Sequence, residues 1–297
     1  YMKVLNYGSL NVDYVYSVDH LIVGGETQHS SKLEVFSGGK GLNQSIALAK
    51  AGVTVYHAGI IGDDGDILLD ACKEAGVNTK YIRRLPVKGG HTMIQVDKNA
   101  QNCIILYGGT NQMQTKEFVD EVLADFGEGD YLILQNEINM LDYIIDRAYE
   151  KKMKIVMNPS PFDDKLNSCD LGKVYLFLVN EIEGEQITGC KDKDQILDAL
   201  AVKFPNARFV LTLGSEGAVY YDGKEKVFQD IFKVKAVDTT AAGDTFTGYF
   251  IAATLEGRSI QEALRMAAKA SSIAVSRPGA TPSIPTADEV KKELGML

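Results

Sequence analysis

Tryptophan is absent from this 297-residue chain, and cysteine, histidine and proline are scarce, at four, four and seven copies. The cysteines (Cys72, Cys103, Cys169 and Cys190) lie far apart with no Cys-x-x-Cys pair. That excludes a zinc ribbon and a disulfide framework, and it suits a reducing compartment. His20, His29, His57 and His91 are equally scattered, so no His-x-x-x-His metal site is expected. An excess of basic residues is also missing. The formal net charge is −9, which argues against nucleic acid as a partner. The longest strongly apolar run, Val174 to Val179, is far too short to span a bilayer, and the first residues lack a signal-peptide layout. A cytoplasmic protein without a membrane partner is expected. Hydrophobic content of 45% and charged content of 24% are ordinary for a globular chain, long enough for one large α/β domain with a small appendage.

Several phosphate and nucleophile motifs are missing as well. The chain has no Gly-x-x-x-x-Gly-Lys-Ser/Thr loop, no Gly-x-Gly-x-x-Gly, no His-Arg-Asp loop and no Gly-x-Ser-x-Gly elbow. A phosphate site here needs other parts.

Those parts stand near the C-terminus, at Asp238-Thr239-Thr240-Ala241-Ala242-Gly243-Asp244-Thr245-Phe246-Thr247-Gly248. Small residues there open a helical pattern over Phe246 to Leu255. The first N–H groups of a helix have no intrahelical partner and carry the positive end of the dipole, so they attract an anion. Asp244 would repel a merely bound phosphate. It makes sense as a base that takes a proton from a hydroxyl attacking that phosphate; the plain alternative is a first-turn helix acid.

The rest of the chain is consistent with this. Lys3 to Tyr7 reads as a buried strand followed by Asn11 and Asp13. Ser37-Gly38-Gly39-Lys40-Gly41-Leu42-Asn43-Gln44 leads into a helix predicted over Ser45 to Ala51, with glycines that admit close backbone approach and Lys40 and Asn43 as polar groups. Strand Val53–Ile60 and helix Asp66–Ala75 follow. From Thr115 the alternation is regular: helix Thr115–Phe126, strand Tyr131–Gln135, helix Leu141–Lys151, strand Lys154–Met157, strand Val174–Val179, helices Ile182–Ile187 and Asp194–Phe204, and strand Arg208–Leu213. A hairpin over Ala218 to Phe228, a helix over Ser259–Ala274 and a capped helix over Thr286–Leu294 complete the chain. The pattern predicts an α/β fold with a doubly wound, mostly parallel central sheet flanked by helices. Short alternating pieces in Tyr14 to Phe36, Thr92 to Val96 and Asn102 to Tyr107 predict a small antiparallel sheet, a candidate lid over residues 13–36 and 89–108; the core takes 1–12, 37–88 and 109–297. Polar groups gather after predicted strand ends: Glu137, Asn158-Pro159-Ser160, Asn180-Glu181-Ile182-Glu183 and Gly214-Ser215-Glu216-Gly217. Open α/β sheets bind ligands on that edge. A carboxylate at a bare helix start, with polar groups sized for hydroxyls, suits phosphoryl transfer to an alcohol.

Two of these stretches, Gly38-Gly39-Lys40-Gly41-Leu42-Asn43-Gln44 and Asp238 to Phe246, resemble the two signatures of the PfkB-type carbohydrate kinases, about 200 residues apart and in the family's order. The resemblance runs almost end to end, through Gly8 to Asp13, Gly25-Glu26-Thr27, Asn158-Pro159-Ser160-Pro161, Thr212 to Ser215 and Arg277-Pro278-Gly279-Ala280. It implies an ATP-dependent sugar kinase, D-ribose being the leading acceptor and another sugar, sugar acid or nucleoside the alternative; a non-catalytic sugar- or nucleotide-binding module is the rival reading, against which the intact Asp244, Gly243 and Glu183 stand. It further implies Asp244 as base, with the amides of Ala241, Ala242, Gly243 and Asp244 as anion hole. Asn11, Asp13, Gly39, Lys40, Asn43 and Glu137 would hold the sugar; Asn180, Thr212, Gly214, Ser215, Gly217, Gly243 and Ala268 would line the ATP site. Glu183 would place Mg2+ through water. Asp238, Thr240, Ala274, Arg277, Gly279 and Ser283 match a loop pair that binds K+ in the family. A homodimer through the lid is implied too. Departures fall at Leu42 and Ser45, where smaller residues are usual, at Gly90-His91-Thr92, at Ile138-Asn139 and at Ala268. None falls on the phosphoryl-transfer residues.

Overall fold

A computed structural model describes residues 1–297. Seven strands run parallel: β1 (Val4–Tyr7), β4 (Val55–Ile61), β5 (Asn78–Arg84), β8 (Tyr131–Leu134), β9 (Lys154–Met157), β10 (Leu176–Asn180) and β11 (Arg208–Thr212). The hairpin β12 (Ala218–Tyr221) and β13 (Lys226–Gln229) extends the sheet antiparallel, giving the order β13-β12-β11-β10-β9-β8-β1-β4-β5. The strands are apolar on both faces because both are covered. Alternate residues feed two separate cores. Ile133, Val156, Leu178 and Val210 join one cluster of 35 buried residues, while Leu132, Leu134, Ile155, Phe177 and Phe209 join another of 33.

A second sheet of four strands, ordered β3-β2-β6-β7, consists of β2 (Asn11–Ser17), β3 (Lys32–Gly38), β6 (His91–Val96) and β7 (Asn102–Tyr107). Its central pair, β2 with β6, is parallel, so the sheet is mixed rather than wholly antiparallel. The two strands come from segments about 75 residues apart and need no hairpin between them. Strand β5 has no counterpart in the sequence reading. It is an edge strand, Asn-Thr-Lys-Tyr-Ile-Arg-Arg, half exposed and rich in charge, so its apolar pattern is weak.

Helix α1 (Lys40–Lys50) starts five residues before the Ser45 expected. Gly39, at φ 96°, turns the chain directly into it, and Gly41 lies so close to the Gly8–Ser9 backbone that a Cβ would sit 2.4 Å from the Ser9 nitrogen. The glycine-rich stretch is therefore the first turn of the helix. Helix α7 (Ala242–Leu255) is apolar around most of its surface and is buried from Asp244 to Ala253. It packs between α1 and α8 (Ile260–Val275), which points its N-terminus at the edge where the parallel strands end.

Candidate active site

Strand order decides what meets there. β1 and β8 are neighbours, yet the chain leaves β1 in one direction and returns to β8 on its other side, which makes their junction a topological switch point. Ser9 and Glu137 follow these two strands and meet in the crevice. The Ser9 hydroxyl donates to Glu137 Oε1 (2.7 Å), and so does the Lys40 N–H (2.8 Å). Asn11 is buried and accepts from Asn111 Nδ2 at 2.6 Å. Asp13 accepts from the Thr92 hydroxyl at 2.6 Å. Burial pushes the Asp13 carboxyl up, and nearby Glu137 adds to this against the Thr92 hydrogen bond. Asn11, Asp13, Gly39, Lys40, Asn43 and Glu137 thus lie around the same crevice.

Asp244 borders it, 6% exposed. Its Oδ2 accepts from Asn43 Nδ2 at 3.1 Å and its Oδ1 from Gln44 Nε2 at 3.0 Å. Asn43 Oδ1 is buried with no protein partner, an acceptor the fold leaves unpaired. Lys40 lies close enough to Asp244, then Glu137 and Glu183, that their charges raise its pKa against the opposing effect of burial. It stays a cation.

Ala241 caps α7 with no side-chain hydrogen bond, and the N–H groups of Ala241, Gly243 and Asp244 find no acceptor in the protein. The Ala242 N–H differs from the expectation: it closes a turn onto the Thr239 carbonyl at 3.2 Å. No atom lies within 4 Å of where a Gly243 Cβ would stand, so the helix start is open.

On the other side of that helix start is a cavity of about 700 Å3. Asn180, Thr212, Gly214, Ser215, Gly217, Gly243 and Ala268 all line it, together with residues sequence reasoning missed, including Phe246, Ser271, Val275 and Ile231. Those come from helix faces and a loop, whose spacing carries no site signal. Asn180 caps the helix Glu181–Thr188 by accepting from the Glu183 N–H (2.9 Å), which fixes the buried Glu183 in the first turn of that helix. Burial pushes the Glu183 carboxyl up, against the pull of Lys40 and backbone donors.

The loops around Asp238 and Gly279 also meet. Asp238 accepts from the Gly279 N–H (3.0 Å), the Thr240 N–H (2.9 Å) and the Thr240 hydroxyl. Burial alone would raise the Asp238 carboxyl, but these donors hold it below its usual range. The Ala274 carbonyl accepts from the Arg277 N–H, Arg277 pairs with Glu289 and the Ser283 hydroxyl donates to the Ala280 carbonyl. No group of three His, Cys, Asp or Glu side chains is arranged to hold a metal ion.

The fold and this edge define a phosphotransferase of the carbohydrate-kinase class. The family model described as "pfkB family carbohydrate kinase" matches residues 2–287, and the chain belongs to that family. It is 34% identical to a ribokinase of Haemophilus influenzae over 95% of each chain, and 32% identical to one of Staphylococcus aureus over 98% of this chain and 99% of the other. Among solved structures, Arabidopsis thaliana ribokinase complexed with ribose and ATP superposes with a TM-score of 0.89 at 29% identity, covering 99% of this chain and 98% of that one.

Proposed function

We propose that this chain transfers the γ-phosphoryl group of ATP to a hydroxyl of D-ribose, giving ribose 5-phosphate and ADP. The observation that carries the reading is the placement of Asp244. It stands at an uncapped helix start between a nucleotide-sized cavity and a pocket of hydroxyl-binding side chains. The sugar oxygen attacks the γ-phosphorus while its proton passes to Asp244, and the bond from the γ-phosphorus to the bridging oxygen breaks to release ADP. The free N–H groups of Ala241, Gly243 and Asp244 face the charge that gathers on the moving phosphoryl group, as does Lys40. Asn11, Asp13, Asn43 and Glu137 accept from the sugar's other hydroxyls and hold the attacking one in line.

A divalent ion such as Mg2+ would neutralise the phosphates when bound. Glu183 is the buried carboxylate that would hold it, through water, beside the substrate phosphates. K+ fits the loop pair at Asp238, Thr240, Ala274, Arg277, Gly279 and Ser283 through carbonyls, since both Asp238 oxygens already accept from the protein. Asn11, Asp13 and Thr92 belong to the small sheet, so residues 13–36 and 89–108 act as a lid that closes over the sugar. The same sheet exposes Leu33, Val35, Met93, Ile105 and Tyr107, and a second copy of this chain covers that face as a homodimer.

The test is a panel of acceptors with coupled ADP detection, run with and without K+: ribose, 2-deoxyribose, fructose, a deoxy sugar acid and a nucleoside. Ribose is expected to give the highest kcat/KM. A faster alternative acceptor reassigns the substrate, and no ADP release with any acceptor overturns the kinase reading.

A further inference from the structure

A line of buried polar side chains leads away from Asp244 through the core. Gln44 Nε2 donates to Asp244 Oδ1 (3.0 Å) and to Asn158 Oδ1 (3.1 Å), and Gln44 Oε1 accepts from Gln135 Nε2 (2.8 Å). Gln135 Nε2 also donates to Asn6 Oδ1 (3.0 Å). Asn6 Nδ2 donates to the Gly41 carbonyl and to the Ser45 Oγ, both at 2.8 Å. Ser45 Oγ in turn lies 2.7 Å from His57 Nδ1, and His57 Nε2 lies 3.1 Å from the Gly8 carbonyl. Asn6, Gln44, Ser45 and His57 are 0% exposed and Gln135 is 1% exposed. Of their side-chain polar atoms only Gln135 Oε1 has no partner in the protein.

The direction of every bond in this line follows from its ends. The Gly8 carbonyl can only accept, so His57 carries its hydrogen on Nε2 and Nδ1 is an acceptor. Burial drives the His57 pKa down to about 4, which keeps the ring neutral. Ser45 must then donate to His57 and accept from Asn6. The Gly41 carbonyl takes the other hydrogen of Asn6 Nδ2, leaving Asn6 Oδ1 to accept from Gln135. Both hydrogens of Gln135 Nε2 are thereby used, the second on Gln44 Oε1. At the other end, Asn158 Nδ2 donates to the Leu178 carbonyl at 2.9 Å, which turns Asn158 Oδ1 toward Gln44. Gln44 therefore presents its NH2 group, and not its oxygen, to Asp244. Reversed, the amide would set oxygen against oxygen at about 3 Å in a low-dielectric site, an arrangement that costs far more there than in water.

We infer that Gln44 is a positioning residue for the Asp244 carboxylate, and that the buried line Gln135–Asn6–Ser45–His57 holds its amide donor-first. The inference rests on the reading of Asp244 as the base. With Oδ1 tied to Gln44 and Oδ2 to Asn43, the carboxylate plane is fixed relative to the pocket, and a base in a fixed plane loses little freedom when the sugar arrives. Ser45 is one of the departures from the family pattern, and it is the link that connects His57 to the rest. The line is thus this chain's own means of setting the amide.

Four variants test it, each assayed for kcat, both KM values and Tm. Gln44→Met removes the donor at nearly constant volume and is expected to lower kcat about tenfold or more, with KM for sugar and ATP within about twofold of the parent. Gln44→Glu keeps the shape but replaces the donor by an acceptor; it is expected to lose at least as much kcat, whereas a space-filling role would be preserved. His57→Phe leaves the Ser45 hydroxyl without an acceptor and is expected to lower kcat about three- to tenfold. Adding Ser45→Ala to it removes the stranded hydroxyl while Gly41 still orients Asn6, and should restore most of the lost kcat. Unchanged kcat in both Gln44 variants, or a change confined to KM, overturns the positioning role. Full activity in His57→Phe while Gln44→Met is impaired overturns the relay, as does a double variant no better than the single one. If a Gln44 variant does not fold, the His57 pair decides the question. Asp244→Asn measured alongside separates these failures from failure of the base assignment, which alone would leave that variant active.

Discussion

Replacing Asp244 by asparagine keeps the side chain's shape and removes its ability to take a proton. General-base catalysis contributes about a hundred- to ten-thousandfold, so kcat should fall by at least about two orders of magnitude. The structure adds a second consequence. The carboxylate accepts from two amide donors, Asn43 Nδ2 at 3.1 Å and Gln44 Nε2 at 3.0 Å. An asparagine has one oxygen for the two of them, so its NH2 must face the other donor and leave it unpaired. An orphaned buried donor costs about 1–3 kcal/mol, which for a chain of this size lowers Tm by a few degrees without preventing folding. ATP binding, proposed to use the cavity on the opposite side of the helix start, should be nearly unchanged. The assay is coupled ADP release at saturating sugar and ATP, with calorimetric ATP affinity and a thermal melt on the same preparation. A kcat within about threefold of the parent, in a folded variant that binds ATP, would falsify the assignment of Asp244 as the base.

Asp13→Asn should trade function for stability. Burial raises the Asp13 carboxyl, so the folded state binds its proton more tightly than the unfolded chain does, and ionisation destabilises the fold as pH rises through the ordinary carboxylate range toward the raised value. The variant should melt higher than the parent at neutral pH and equally in acid, and its KM for the sugar should rise about tenfold or more while KM for ATP stays put; an unchanged sugar KM refutes the role. His57 has the opposite linkage. Its folded pKa of about 4 lies below the ordinary 6.5, so the unfolded chain takes the proton first as pH falls. Stability that is intact above about 6.5 should drain by roughly 3 kcal/mol on the way down to about 4. Urea titrations across that range should show this loss in the parent and not in His57→Phe; parallel curves count against it. Gly248→Ala places a Cβ 2.5 Å from that of Ala47, where α7 crosses α1. We expect about 1–3 kcal/mol of destabilisation. Asp244 should also move off Asn43 and Gln44, so kcat falls more than either KM rises; a wild-type kcat would show that the crossing relaxes without shifting the base.

The fold was legible where strands are buried on both faces, because a continuous apolar run such as Leu176 to Val179 leaves few alternatives to a covered strand. It was less legible at edges. β5 spends its side chains on charge, and the first turn of α1 looks like a loop because its glycines are there for contact with the Gly8–Ser9 backbone rather than for flexibility. At the site, residues with chemistry in their side chains could be singled out from their place after strand ends. Gln44, Gln135, Asn6 and Asn111 could not. Their roles depend on which amide faces which across a separation of up to 129 residues, and nothing local in the sequence encodes that. Gln44 did lie inside a quoted motif, but its neighbour Asn43 attracted the assignment.

The site's charges explain why it is built at a helix start. On the proposed reading Asp13, Glu137, Glu183 and Asp244 lie near the path of a polyanion, and the field of Lys40 reaches the last three of them. Its charge is largely committed to Asp244 and Glu137, so it cannot by itself hold a triphosphate. Beside a bound divalent ion, positive potential can come from groups with no counter-charge in the resting protein. The Ala241, Gly243 and Asp244 N–H groups meet that condition, since they have no acceptor and sit at the positive end of a 14-residue helix. A capping side chain at Ala241 would accept from the Gly243 or Asp244 N–H and stabilise α7 by about 1 kcal/mol. Its absence leaves the helix less stable than it could be and keeps the amides free for the group that is transferred. Ala241→Ser should therefore raise Tm and lower kcat together, and a variant that gains stability at full activity would show that these donors are not used in the reaction.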